Sequence, residues 1–205
     1  MKKILAVLFA ASMMLVGTKA SAQSWTAAGG FTTFSLSGAD VKGSFLKDVP
    51  SIPGFYFGVN YDYAFSAIDG LTVEPGAYIM HYGKEYSFGI SPASKSYHAN
   101  YLRVPVNIKY TMPINSSFDL CFLTGPRFNL GIGGNMFGKG ENYMGLKLTD
   151  AQWGIGVSAL LAEAVMIRAG YDLGLTRCIK DNTALGFDNL KVYRNTAYVG
   201  VGFAF

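Results

Sequence analysis

Bulky apolar residues recur at every second position in eight stretches of this chain, with polar or small residues between them. The clearest stretch is 164–176, where Val165, Ile167, Ala169, Tyr171, Leu173 and Leu175 alternate with Met166, Arg168, Gly170, Asp172 and Gly174. A period of two is the side-chain period of a β-strand, so the segment predicts a strand with one greasy face and one polar face. Segment 53–66 repeats it, Phe55, Phe57, Val59, Tyr61, Tyr63 and Phe65 opposing Tyr56, Gly58, Asn60, Asp62 and Ala64. In 97–112, Leu102, Val104, Val106, Ile108 and Tyr110 oppose Arg103, Pro105, Asn107 and Lys109; in 150–162, Trp153, Ile155, Val157, Ala159 and Leu161 oppose Gln152, Gly154, Gly156 and Ser158. With 24–36, 70–82, 117–131 and 192–205 this makes eight predicted strands, parted by clusters of Gly, Pro, Asn, Asp and Ser.

The connections alternate in length. Those after the second, fourth and sixth strands (around Asp69-Gly70, Pro113 to Ser116, and Glu163) are tight, whereas 37–52, 83–96, 132–149 and 177–191 are long. An even strand number with short turns at one end and long loops at the other predicts an all-β, eight-stranded antiparallel up-and-down transmembrane barrel, short turns in the periplasm and long loops outside the cell. An eight-stranded barrel has an interior only just wide enough for side chains, so the bulky apolar face must point outward into lipid. A soluble ligand-carrying barrel would invert this. Pro75 and Pro126 lack a donor and are expected to mark bulges or register changes. Tyr61, Tyr63, Tyr101, Tyr110, Trp153, Tyr171 and Tyr193 are candidates for aromatic girdles at the membrane boundaries.

The N-terminus adds a compartment. Lys2 and Lys3 precede an apolar run from Ile4 to Gly17, and Ala20-Ser21-Ala22 offers a small-x-small cleavage site before Gln23. Residues 1–22 therefore read as a signal peptide and 23–205 as the barrel domain. The apolar run is too short to cross about 30 Å of hydrocarbon as a helix. Cleavage would remove Lys2, Lys3 and Lys19 from 17 basic residues, leaving 14 against 13 acidic ones. A nearly neutral chain lacks the basic stripe of a nucleic-acid binder. Cys121 and Cys178 fall near opposite rims on this strand map, which argues against a disulfide.

The last predicted strand places Ala197, Val199, Val201, Phe203 and Phe205 on one face and stops at a terminal Phe. It resembles the C-terminal signal that hands outer-membrane barrels to the barrel-assembly machinery, with Tyr198, Val201, Phe203 and Phe205 as the matching residues. The run Tyr101-Leu102-Arg103-Val104-Pro105-Val106-Asn107-Ile108-Lys109-Tyr110 resembles the fourth strand of the small outer-membrane β-barrel family of Bacteroidota that includes PorT-like proteins. Glu74-Pro75-Gly76 is similar to that family's third strand. The resemblance implies fold and an outer-membrane location and names no activity. The family commonly carries an acid two residues after the Tyr of this strand; here the position is Arg103, so its inward salt bridge must be wired differently.

The inward face carries the candidate functional residues, a lumen network of Asp62, Glu74, Asp119 and Asp172 with Arg103, Lys109, Arg127, Arg168 and Arg194. Four acids against five bases suit mutual pairing in a narrow tube, where an unpaired charge costs several kcal/mol. The favoured reading is a structural or surface-interaction barrel with a plugged lumen, no catalysis and loops that meet the surroundings. A small porin or transport-associated channel is the alternative, and a lipid A-modifying enzyme the third. His81 and His98, with Ser87, Ser91 and Glu85 nearby, form no recognisable catalytic spacing. Metal-ligand and phosphate-loop motifs are likewise missing, so no cofactor is expected. The expected partners are outer-membrane lipid and, during biogenesis, the assembly machinery.

Overall fold

The computed structural model describes residues 24–38, 51–65, 67–87, 94–137, 145–162, 164–180 and 190–205. The proposed signal peptide, the turn at Glu163 and much of the long connections lie outside the described residues. Eight antiparallel strands close on themselves: β1 (Ser24–Ser37), β2 (Ile52–Ala64), β3 (Leu71–Ser87), β4 (Ser94–Asn115), β5 (Phe118–Gly133), β6 (Thr149–Leu161), β7 (Val165–Gly174) and β8 (Tyr193–Ala204). Each strand pairs with its sequence neighbours, and β1 closes the cylinder on β8 from Thr26↔Ala204 to Ser37↔Tyr193. Closure follows from the solvent: in hydrocarbon each unsatisfied backbone group costs several kcal/mol, and an open sheet would leave two such edges.

The alternation decides which way each strand faces. Phe57, Val157 and Leu173 are 56%, 44% and 46% exposed, while Asn60, Ser158 and Asp172 are buried. Bulky residues therefore radiate outward and polar ones meet at the axis. Trp25 packs against Tyr61, ring centroids 5.0 Å apart, near the end that holds the short turns, and Tyr110, Trp153 and Tyr171 also face out. Tyr101 does not belong to a girdle. It lies on the inward parity of β4 and is 1% exposed.

Two further expectations are corrected. Pro75 and Pro126 do not shift the register, since Leu71↔Tyr110 and Ser87↔Ser94 share one alignment across β3–β4, and Phe118↔Leu161 and Leu130↔Thr149 share another across β5–β6. Each proline instead coincides with missing pairs in the neighbouring ladder, where its lost N–H interrupts pairing without slipping it. The actual shifts lie in β4–β5 at Asn100/Tyr101 and Pro113/Asn115, towards the rims. The second long loop is also shorter than its sequence suggests. β3 and β4 pair as far as Ser87↔Ser94, well beyond His81 and His98. Above the membrane neither face meets lipid, so apolar alternation ends while backbone pairing continues.

The interior is not filled by small and polar residues alone. Its extracellular half holds Phe34, Met80, Tyr82, Tyr101, Met136, Phe137, Leu146, Ile179 and Val192, all buried. A 3-10 turn at Asn135–Phe137 folds the end of β5 inward, setting the Phe137 ring 5.1 Å from that of Tyr101. Leu146 pairs with Ile179 across two long connections, completing an apolar lid over the mouth. The lid escapes strand-by-strand reading because its residues belong to inward strand positions and loops that only closure assembles.

The lid encloses one of the two thiols. Cys121 and Cys178 are both free and buried. Burial pushes the Cys178 thiol up to about 12, from an ordinary value near 8.5. Being buried, neither cysteine should react with a maleimide in the folded barrel; because the thiolate is the reactive form, raising the pH to about 9 should not speed Cys178 as it would a free thiol. Both should label in urea. Rapid modification of Cys178 in the folded protein would show that the lid opens.

Candidate functional site

Beneath the lid, charged side chains from seven strands, β2 to β8, meet at the axis in three levels. Nearest the short-turn end, Glu74 (β3) receives two hydrogen bonds from the Arg168 (β7) guanidinium at 2.6 and 2.7 Å and one from Asn107 Nδ2 at 2.7 Å. Lys109 (β4) pairs with Asp62 (β2) and lies 3.7 Å from Glu74. Two parallel N–H···O bonds on one carboxylate are the strongest geometry such a pair offers.

The middle level is built on Asp172 (β7), which is fully buried. Arg103 Nη1 reaches it across the barrel at 2.6 Å, and Arg127 Nε lies 3.3 Å from its other oxygen. Arg103 also donates to Asn129 Oδ1 at 2.8 Å and Gln152 Oε1 at 2.7 Å; Arg127 donates to Asn107. Arg103 thus finds its counter-charge on another strand, across the barrel. Gly154 allows this close approach. A Cβ there would lie 2.5 Å from both the Arg127 guanidinium and Asp172 Oδ1.

At the level under the lid, Arg194 (β8) holds Asp150 (β6) with contacts of 2.9 to 3.2 Å, and Asn129 donates to the same carboxylate at 2.8 Å. The guanidinium sits 4.2 Å from the Tyr101 ring centroid and within 6 Å of the Phe34 and Tyr82 rings. Aromatic faces attract a cation, which eases the burial of a charge with one acidic partner.

Of the nine residues expected in the network, eight therefore lie in these three levels. Asp119 does not. It is half-buried near the short turn after β4, opposite Pro113, and the ion pairs of the described residues do not include it. The fourth acid is Asp150, two residues before Gln152 on the same face of β6, so the parity of that strand already pointed to it. Asn107, Asn129 and Gln152, which tie the levels together, were legible only as inward positions; what they bond follows from the barrel's shear.

Between the lower two levels a cavity of about 30 Å³ remains, lined by Tyr56, Tyr78, Tyr198 and the three arginines Arg103, Arg127 and Arg168 among others. That volume holds about two waters. Tyr198 thus faces the lumen, whereas Val201, Phe203 and Phe205 face outward at 54%, 61% and 75% exposure. Phe205 is bonded to Trp25 through both backbone groups, at 2.8 and 3.0 Å.

Comparison with known proteins agrees with this architecture. A family model described as "Outer membrane protein beta-barrel domain" matches residues 4–205. Among solved structures, Neisserial surface protein A is 15% identical over 92% of this chain and all of its own, with a TM-score of 0.52. Ail, the attachment invasion locus protein of Yersinia pestis, is 13% identical over 89% of this chain and 98% of its own, with a TM-score of 0.45. No curated protein matches the sequence significantly. At these identities the first structure speaks for the fold alone; the family match extends over nearly the whole chain. The chain belongs to the outer membrane protein β-barrel domain family and resides in the bacterial outer membrane.

Proposed function

We propose that this protein is a closed-lumen surface barrel, structural or interacting through its external loops, and neither a channel nor an enzyme. The observation that carries the reading is the stacking of three ion-paired levels under an apolar lid, with a cavity between the lower two levels that has room for about two waters. A water column is typical of 16 to 18 strands, and eight give side chains just enough space to fill the bore. In planar bilayers the purified barrel should show no steady single-channel currents; reproducible unitary conductance would sink the reading in favour of a small porin. The surroundings of the histidines also favour a non-catalytic protein: His81 Nδ1 lies 2.7 Å from Asn100 Oδ1, and its ring packs 5.0 Å from that of Phe55.

We further infer export through the signal peptide 1–22 and delivery by the barrel-assembly machinery through the outward Val201, Phe203 and Phe205 of the terminal strand. Tyr198, on the opposite face, serves the lumen instead. Kinship with the PorT-like barrels of Bacteroidota rests on the Tyr101–Tyr110 strand, whose Arg103, Asn107 and Lys109 all enter the lumen network.

A further inference from the structure

Outside the lumen, the barrel wall carries a furrow at its extracellular end. It follows the start of β6, where the outward residues are the small Thr149 and Ala151, and it is flanked by Phe128 and Leu130 on β5 and by Leu175 beyond β7. These belong to two adjacent rows around the barrel, because Leu130 pairs with Thr149 and Phe128 with Ala151, while Leu175 and Thr176 donate their backbone N–H to Ala151 O. The floor and walls are hydrocarbon. The upper edge is cationic, formed by Lys147, Arg177 and Lys191.

We propose that this furrow binds a phosphorylated lipid of the outer leaflet, with an acyl chain laid over Thr149 and Ala151 and the phosphate held by the three cations. The polarity runs in the direction an amphiphile requires, apolar towards the membrane centre and positive at the headgroup boundary. Its volume of about 1130 Å³ lies just above that of ordinary ligand pockets, about 300 to 1,000 Å³. A zwitterionic headgroup would gain little from three positive charges, whereas each Lys or Arg near a membrane surface favours an anionic lipid by up to roughly five-fold. An aqueous ligand would leave the hydrocarbon floor without a match.

The protein carries its own reporter. Trp153 is the next outward residue of β6 below Ala151, held by an Nε1–H bond to Thr124 Oγ1 at 2.9 Å, and the other tryptophan, Trp25, lies at the opposite end. The full barrel is refolded into phosphatidylcholine vesicles containing either brominated phosphatidic acid or brominated phosphatidylcholine at equal mole fraction. In Trp25→Phe, Trp153 should be quenched several-fold more effectively by the phosphatidic acid, with the difference shrinking in high salt. In Trp153→Phe, Trp25 should barely distinguish the two lipids. Lys147→Ala/Arg177→Ala/Lys191→Ala in the Trp25→Phe background should abolish the preference, and Lys191→Ala alone, at an exposed position, should reduce it by up to roughly five-fold. Equal quenching by both lipids, an equal preference at Trp25, or a preference untouched by Lys191→Ala would overturn the proposal.

Discussion

Replacing Asp172 by Ala is expected to lower the stability of the barrel by about 3 to 5 kcal/mol, the cost of leaving buried charge without its partner. Asp172 is fully buried and faces two guanidinium groups, Arg103 at 2.6 Å and Arg127 at 3.3 Å. Five cations, four of them buried, already stand against four acids in the network, so among the described residues removing this acid leaves no nearby carboxylate to take over. Asp150 is held by Arg194, and Glu74 by Arg168. Asp172→Asn should lose less, because its amide oxygen still accepts a hydrogen bond while its charge is gone. The measurement is urea unfolding in vesicles, followed by the heat-dependent shift of the folded band on SDS gels. A midpoint unchanged in Asp172→Ala would mean that water reaches and solvates the arginines, and the sealed lumen would fall with it.

A charge on the other face should be costly for a different reason. Val157→Arg places a guanidinium among Phe122, Ala169 and lipid near the middle of β6, and about 2 to 4 kcal/mol is expected to be lost. Lipid cannot hydrate the charge, and the side chain must bend towards a distant headgroup. Ser158→Arg, one residue on, enters the lumen beside Arg168. There it meets a filled space and adds a sixth cation to the network, so failure to refold is the expected outcome. The pair of variants separates the two faces: similar, small losses at both positions would contradict the inside–outside assignment.

The lumen and the wall thus divide the work. Ion pairs and aromatic rings fill the bore, which is why the proposed roles lie on the outside, in the loops and along the cationic furrow. The furrow exists because β6 begins with small outward residues between strands whose outward residues are large.

Strand count, closure and the outward direction of Phe57, Val157 and Leu173 were written in the sequence, because a side-chain period of two registers on every strand that has lipid on one side and lumen on the other. Arg103, Asp172 and most of their partners could be placed inside by the same parity. Parity is blind to height, however. It put Asp119 in the network from its correct face but the wrong end, and it could not say that Arg103 would meet Asp172, 69 residues away and on the opposite wall. The lid was equally hidden, since Tyr101, Phe137, Leu146 and Ile179 come together only when the cylinder closes and its loops fold in. What the chain alone determined was the face each residue takes; the stagger of neighbouring strands decided the level, and so the partner, because ion pairs form between side chains at equal depth rather than at related positions in sequence.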